Sequence, residues 1–195
     1  MYTPRYPNIG QDCGSAKHGT IRMASFDLNI ISQGVSVHMI TISLKTKPSM
    51  SHLLLKDTFD QFSFIEGEIT TFNTLTIDGY LQKDFFEEKP EASHAHWKDV
   101  REFCFQIIRG KRTPLNFKII LSLAPENFPG FLNEHNVTGF RPEDIQGMYL
   151  NLSYDGLNLT CITGISMKTF TMDKSLERAW DDAAQKKLLE LELVV

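Results

Sequence analysis

The chain has 195 residues, of which 42% are hydrophobic and 23% are charged, and its formal net charge at pH 7 is −4. This is the composition of an ordinary globular domain with a hydrophobic core. The acidic balance counts against nucleic-acid binding, which relies on a basic surface, and against an anionic membrane surface as a partner. No apolar run in the sequence reaches the length that spans a bilayer, so no membrane partner is predicted.

Residues 1–38 differ from the rest of the chain because they begin with a proline- and glycine-rich, aperiodic stretch. They lack the charged start, apolar run and cleavage site of a secretion signal. At Met39 the pattern changes to MITISL, which predicts a strand. We interpret 1–38 as an N-terminal extension, either disordered or the result of a misassigned start, with an ordered extension as the alternative. We interpret 39–195 as a single α+β domain.

The first half of this domain, residues 39–115, predicts a strand, a short helix, three strands and a long helix. The strands are MITISL, FSFIEGEIT, FNTLTI and YLQKDFF, and the short helix is KPSMSHLLL. Asp78-Gly79 is typical of a type I′ turn between the last two of these strands. The long helix, SHAHWKDVREFCFQIIRG, is predicted to begin after Ser93 as its N-cap. Its apolar positions recur every three or four residues and are predicted to face the core: Trp97, Val100, Phe103, Cys104, Ile107 and Ile108.

The second half, residues 116–192, predicts the same elements in the same order. The strands are LNFKIILSLA, GMYLNLSY, LNLTCIT and SMKTFTM, the short helix is PENFPGFLNEH, and Asp173 is predicted to cap a final long helix. Asp155-Gly156 again predicts a type I′ turn. That turn sets a register with three pairs on the core face, which are Tyr154 with Leu157, Leu152 with Leu159, and Leu150 with Cys161.

The two Asp-Gly pairs are 155 − 78 = 77 residues apart, and several identical residues recur at the same offset. Together with the repeated element order, this spacing predicts a tandem β-α-β(3)-α pseudo-duplication. The predicted fold class is α+β: a mostly antiparallel, twisted sheet with two long helices packed on one face.

His94 and His96, with Asp99 nearby, are the closest approach to a metal site in the sequence. On a helix, positions i and i+2 point about 200° apart, whereas helical zinc ligands are spaced i and i+4. The two histidines therefore converge only if the segment is extended. We predict no metal site here and interpret these residues as polar groups at a helix start.

Arg109, Lys111 and Arg112 form a basic turn after the first long helix. Arginine binds phosphate and carboxylate groups in a bidentate manner, so this turn is the best exposed candidate for binding. The alternative is that the cations only compensate the helix dipole. The turn lacks the spacing of a P-loop. No catalytic residue and no cofactor are predicted from the sequence.

Three cysteines, Cys13, Cys104 and Cys161, stand at unrelated spacings without a C-x-x-C motif. Cys104 and Cys161 lie in apolar runs, where cysteine acts as a small hydrophobic residue. We predict reduced thiols in a cytoplasmic protein.

Five segments, LKDTFDQF, EITTFNTLTIDG, CFQIIRGKRTPLNFKIIL, LNLSYDGLNLTCITG and FTMDKSLERAWDDAA, together resemble an uncharacterised bacterial family of unknown function. The resemblance covers about residues 39–190. It implies a shared fold, length and bacterial origin, and it implies no catalytic residue.

Our first hypothesis is a non-catalytic binding or protein-interaction module, whose partner is another protein, a second copy of the chain, or a small apolar ligand. Such a module predicts an exposed apolar patch. The alternative is an enzyme whose site is assembled from His94, His96, Asp99 and the basic turn, which predicts a pocket where a His or Asp meets a basic residue. A second alternative, nucleic-acid binding, predicts that the following cations gather on one surface: Lys98, Arg101, Arg109, Lys111, Arg112 and Lys118.

Overall fold

The computed structural model describes residues 39–110 and 112–195. These residues form six strands and four α-helices. In chain order the elements are β1 Thr41–Leu44, α1 Thr46–Leu54, β2 Phe62–Thr70, β3 Thr74–Asp78, α2 Trp97–Ile108, β4 Asn116–Leu123, α3 Phe128–Glu134, β5 Ile145–Tyr154, β6 Leu159–Met167 and α4 Ser175–Glu190. One sheet contains all six strands in the order β1-β6-β5-β4-β2-β3, and every pair is antiparallel.

The core lies on one face of the sheet, as the alternation in β4 shows. Phe117, Ile119 and Leu121 are at most 1% exposed, whereas Lys118 between them lies on the other face, since side chains alternate along a strand. Helix α2 packs on β2 and helix α4 packs on β6. Their buried residues belong to the same hydrophobic cluster as the β4 side chains. The structure thus confirms the α+β class and the antiparallel sheet with helices on one face.

The first Asp-Gly pair does not form the predicted hairpin turn, and YLQKDFF is not a strand. The chain instead reverses between β2 and β3 at residues 71–73, where the Thr71 N–H donates to the Asn73 carbonyl over 2.9 Å. Gly79 has another role, because a Cβ placed there would lie 1.9 Å from the carbonyl oxygen of Phe64. Glycine is required at 79 by this close approach to the backbone of β2.

The second Asp-Gly pair does lie between two paired strands, but the predicted turn type is wrong. A type I′ turn needs a positive φ at both central residues. Here only Gly156 has one, at 96°. The Asp155 carboxylate accepts hydrogen bonds from the N–H groups of Leu157 and Asn158, over 2.9 and 2.7 Å, and thereby closes a longer loop.

The register of this hairpin consequently differs from the prediction by two residues. Tyr154 pairs with Leu159 rather than with Leu157, and Leu152 pairs with Cys161. A shift of two residues keeps every side chain on its predicted face. Leu152 is therefore in the core as expected, but Leu157 lies in the loop and is 83% exposed.

Helix α2 begins at Trp97, four residues after the predicted cap at Ser93. Residues 93–96 are extended because they form isolated bridges, Tyr80 with His94 and Ser63 with His96. Of the predicted inward positions on α2, Trp97 and Cys104 are fully buried, but Phe103 is 67% exposed.

The fourth strand predicted for the second half, SMKTFTM, is wrong. Strand β6 ends at Met167, and no strand follows it in the described chain.

The final helix was predicted with better accuracy. Helix α4 begins at Ser175, so its N-cap position is Lys174, one residue after the predicted Asp173. The Asp173 carboxylate nevertheless accepts the Ser175 N–H over 2.9 Å. None of the helices in the described part of the chain is long and apolar enough to cross a membrane.

The two halves share one element order, but each has two strands after its short helix rather than three. Their strand pairing also differs: β1 pairs with β6, whereas its counterpart β4 lies between β5 and β2. The pseudo-duplication therefore stays a prediction, as does the domain division at residue 38, because residues 1–38 lie outside the described part of the chain.

Candidate functional site

The basic turn lies at the C-terminal end of α2 and is exposed. Arg109 follows the last helical residue, and its guanidinium carbon lies 5.8 Å from the centre of the Phe105 ring, in the range of a cation–π contact. Arg112 is also exposed. Lys111, the third predicted binding residue, lies outside the described residues. Among residues 39–110 and 112–195, neither arginine forms an ion pair.

Two exposed leucines lie at the end of the sheet where β4 begins, which directly follows the basic turn in the chain. The Leu115 N–H donates to the Thr70 carbonyl over 2.8 Å, which places Leu115 beside the end of β2. The β5–β6 loop lies against the same residue, since a Cβ on Gly156 would be 2.9 Å from the Leu115 carbonyl oxygen. Leu115 and Leu157 are 63% and 83% exposed. We call the two leucines together with Arg109 and Arg112 the sheet-end patch.

The histidine pair lies in an extended segment, which is the condition under which residues i and i+2 share a side. His94 Nδ1 is 3.0 Å from the hydroxyl of Ser93, and the ring of Tyr80 meets the imidazole edge to face at 5.8 Å. Burial lowers the pKa of His94 below its ordinary value, and the Asp78 carboxylate opposes that shift. Nδ1 of His96 is buried without a hydrogen-bond partner.

These histidines do not form a metal centre. In the part of the chain that the structure describes, no group of three or more His, Cys, Asp or Glu side chains could hold an ion. Asp99 is in the first turn of α2 and exposed, and its N–H bonds to the His96 carbonyl over 3.0 Å.

The residues of the enzyme hypothesis are not brought together. His94 and His96 precede α2, whereas Arg109 and Arg112 follow it. The helix has 12 residues, which at 1.5 Å per residue separates the two groups by about 18 Å. No single small substrate contacts both groups at that distance.

The candidate cations of the nucleic-acid hypothesis are dispersed. Arg101 is tied to the body of the protein by an ion pair of 3.3 Å with Asp60, in which both side chains are largely buried. Lys118 lies on the sheet face opposite to α2, while Arg109 and Arg112 lie at the sheet end. Lys98 is the second residue of α2, whereas Arg109 follows the last residue of that helix, so the described members of the set do not form one basic surface.

Two thiols can be assessed as nucleophiles, because Cys13 lies outside the described residues. Cys104 and Cys161 are unpaired and fully buried, and burial raises the pKa of each to about 12. A thiol with that pKa is protonated near neutral pH and is a poor nucleophile. The prediction that Cys104 is a buried hydrophobic residue is confirmed.

One polar cleft was missed from the sequence. It has a volume of about 540 Å³ and lies between the loop 135–139 and the N-terminal turns of α4. Its lining includes His135, Asp173, Arg178 and Asp182, so acidic and basic groups do meet here. The Ser175 backbone N–H and, to a smaller extent, the Arg178 charge hold the pKa of Asp173 below its ordinary value. The two walls of the cleft, residues 135–139 and 173–182, are distant in the chain and carry no motif. Sequence patterns therefore do not predict this cleft.

The fold defines an α+β protein with one antiparallel sheet and helices on a single face. The chain matches the model of a family of unknown function, DUF5721, over residues 52–194. It therefore belongs to that family, which confirms the resemblance to an uncharacterised family noted above. No curated protein and no solved structure matches the chain.

Proposed function

We propose that the protein is a non-catalytic binding module that docks a partner protein on the sheet-end patch. The observation that carries this proposal is the exposure of Leu115 and Leu157, at 63% and 83%, at the sheet end that directly follows Arg109 and Arg112 in the chain. Neither arginine forms an ion pair within the described residues. Burial of exposed apolar side chains favours association, and unpaired guanidinium groups favour carboxylates. The partner is accordingly a protein segment in which acidic residues flank large apolar ones.

Three further observations support a module over an enzyme. The histidine pair and the basic turn are about 18 Å apart along α2. The buried thiols are protonated. The polar cleft contains acids and bases, but both hydroxyl side chains in its lining, Thr138 and Ser175, are exposed. The carboxylate that hydrogen-bonds to the Ser175 side chain is that of Asp173, whose pKa lies below its ordinary value, so it is a weak base for activating a nucleophile.

The proposal includes a cytoplasmic location. Cys104 and Cys161 are both unpaired in the fold, and unpaired thiols are typical of proteins kept in a reducing compartment.

The test is site-specific photocrosslinking of the full-length protein in cells that express it natively. A benzophenone amino acid replaces Leu157 in one variant and Phe170 in the control, since Phe170 is 81% exposed but lies in the segment after β6, at the other end of the sheet. We expect a discrete protein adduct from position 157 and none from position 170. The crosslinked peptide should carry Asp or Glu within a few residues of the attachment point.

A second variant combines the benzophenone at position 157 with Arg109→Glu and Arg112→Glu. Both arginines are exposed, so charge reversal leaves the fold intact, which circular dichroism verifies. The proposal predicts that the adduct is lost. An adduct that survives charge reversal, equal adducts from both positions, or no adduct at all would overturn the proposal. A nucleic-acid adduct would support the nucleic-acid alternative in its place.

A further inference from the structure

We infer that the protein forms a symmetric dimer in which β3 of one copy pairs antiparallel with β3 of a second copy. The inference starts from the position of β3 at the end of the sheet. Within the described part of the chain its only strand neighbour is β2. The opposite side of β3 is therefore an open edge.

The main-chain groups along this edge can be assigned from the hydrogen bonds at both ends of the hairpin. The Thr71 N–H bonds to the Asn73 carbonyl, and the Gly79 N–H bonds to the Ile65 carbonyl, each over 2.9 Å. Because residues of an antiparallel strand alternate between bonding inward and outward, Leu75 and Ile77 also bond to β2.

The remaining residues, Thr74, Thr76 and Asp78, direct their N–H and C=O groups away from β2. All three residues are exposed. The edge therefore presents a row of main-chain donors and acceptors that no other strand uses, which is a template for another strand.

Edge strands of monomeric proteins usually carry features that block such pairing, including lysine, proline, a bulge or an inward-pointing charge. The sequence of β3, TLTID, has no lysine and no proline. Its register with β2 runs from Thr74 to Asp78 without interruption, so the strand has no bulge. The single charge of the strand, Asp78, is exposed at its C-terminal end, so residues 74–77 of this edge lack the usual protection against pairing.

The strand is also complementary to itself. A two-fold axis at Thr76 pairs residues that are equally far from Thr76 in the sequence. Thr74 therefore lies opposite Asp78 of the second copy, and Leu75 lies opposite Ile77. Apolar side chains then face apolar ones, and a hydroxyl faces each carboxylate. The two Asp78 side chains lie at opposite ends of the pairing, so no like charges oppose each other. The outward N–H and C=O groups of Thr74, Thr76 and Asp78 then form three residue pairs between the two copies, with two hydrogen bonds in each pair.

The residues that flank β3 fit the same register. Phe72 and Tyr80 are each four residues from Thr76. Phe72 of one copy therefore lies level with Tyr80 of the other copy at both ends of the joined strands. The two aromatic side chains are 95% and 51% exposed, and Leu75 is 37% exposed. Large aromatic residues with this exposure are typical of interfaces. One partner satisfies the edge, the apolar pair and both aromatics, and that partner is a second copy of this chain.

The first measurement is the mass of the full-length chain in solution, by sedimentation equilibrium over a roughly hundredfold range of concentration. We expect a reversible dimer of twice the 22.3 kDa chain mass. Thr76→Lys places two lysines opposite each other across the axis and should raise the dissociation constant at least roughly tenfold. The matched control is Thr41→Lys, on the exposed side of the opposite edge strand, which should leave the dimer unchanged.

The second measurement tests the register itself. Thr76→Lys and Thr76→Glu each place like charges across the axis, but an equal mixture of the two variants places opposite charges there. The mixture should dimerise more tightly than either variant alone. A wild-type chain that is monomeric throughout, a dimer that tolerates Thr76→Lys, or a mixture no tighter than its components would overturn the inference.

Discussion

The indole N–H of Trp97 donates a hydrogen bond of 2.8 Å to the backbone carbonyl of Leu53, and both side chains are at most 1% exposed. This bond ties the first turn of α2 to the C-terminal end of α1. The ring of Phe64 on β2 packs against the same indole, with 5.5 Å between ring centres. Trp97 thus joins two helices and the sheet at one point in the core.

Trp97→Phe should lower the free energy of unfolding by about 2–4 kcal/mol, because it leaves the buried Leu53 carbonyl without its donor and opens a cavity. Urea denaturation followed by circular dichroism measures the change. The control is Phe103→Leu, which removes an aromatic ring from the same helix at a position that is 67% exposed and should change stability by under about 0.5 kcal/mol. Equal effects of the two substitutions would contradict the role given to Trp97.

Two glycine-to-alanine substitutions should have opposite signs. At Gly79 the new Cβ would lie 1.9 Å from the Phe64 carbonyl oxygen, so Gly79→Ala should destabilise the fold by at least roughly 2 kcal/mol. At Gly130, in the exposed face of α3, nothing lies within 4 Å, and Gly130→Ala should stabilise it by about 0.5–1 kcal/mol. Thermal unfolding of both variants beside the wild type decides the matter, and a Gly79→Ala protein as stable as the wild type would refute the close approach.

The β5–β6 loop should contribute a pH-dependent term to stability. Hydrogen bonds from the N–H groups of Asn158 and Leu157 hold the pKa of Asp155 below its ordinary value of 3.8. A carboxyl group with a lowered folded-state pKa stabilises the fold fully above its unfolded-state pKa and loses that contribution as the pH falls through the folded-state pKa.

The stability advantage of the wild type over Asp155→Asn should therefore be largest near neutral pH and should vanish in strong acid. Asparagine keeps an oxygen acceptor in the same place, so the comparison isolates the charge. Urea midpoints of both proteins across the acidic range provide the measurement. An advantage that stays constant with pH would show that the carboxylate charge is not involved.

The two core thiols should be unreactive in the folded protein. In a Cys13→Ser background, Cys104 and Cys161 should react with a disulfide reagent at least roughly a thousandfold more slowly in buffer than in denaturant, since labelling requires opening of the core. Absorbance of the released thiolate follows the reaction. Rapid labelling of either cysteine in buffer would be inconsistent with complete burial.

The sequence predicted those features that depend on local periodicity. The spacing of Trp97 and Cys104 identified the buried stripe of α2, and the alternation through Leu150 and Leu152 identified the core face of β5. Both patterns are set by the period of the element itself. The exposure of Arg109 and Arg112 followed in the same way, because a helix end with charged residues and glycine belongs at the surface.

The features that failed depend on contacts between distant segments. Ser93 is a suitable N-cap, but the Ala95 N–H bonds to the Gly79 carbonyl and the Ala95 carbonyl accepts from Phe64, which holds this segment extended. Nothing in the local sequence reveals that pairing. A two-residue turn at Asp155-Gly156 predicts Leu157 on the core face, whereas the Asp155 carboxylate closes a longer loop that contains Leu157. Part of the candidate patch was therefore visible only in the structure.

The pairing of β1 with β6 constrains how the chain folds as it is made. Ile42 pairs with Cys161, and these residues are 161 − 42 = 119 positions apart. At a synthesis rate of about 5–20 residues per second, β1 leaves the ribosome roughly 6–24 s before its partner strand exists. The β2–β3 and β5–β6 hairpins close early, whereas β1 is incorporated last. During that interval β1 has no strand to pair with, so its apolar residues Ile42 and Leu44, which are buried in the finished fold, stay exposed to other chains until β6 is made.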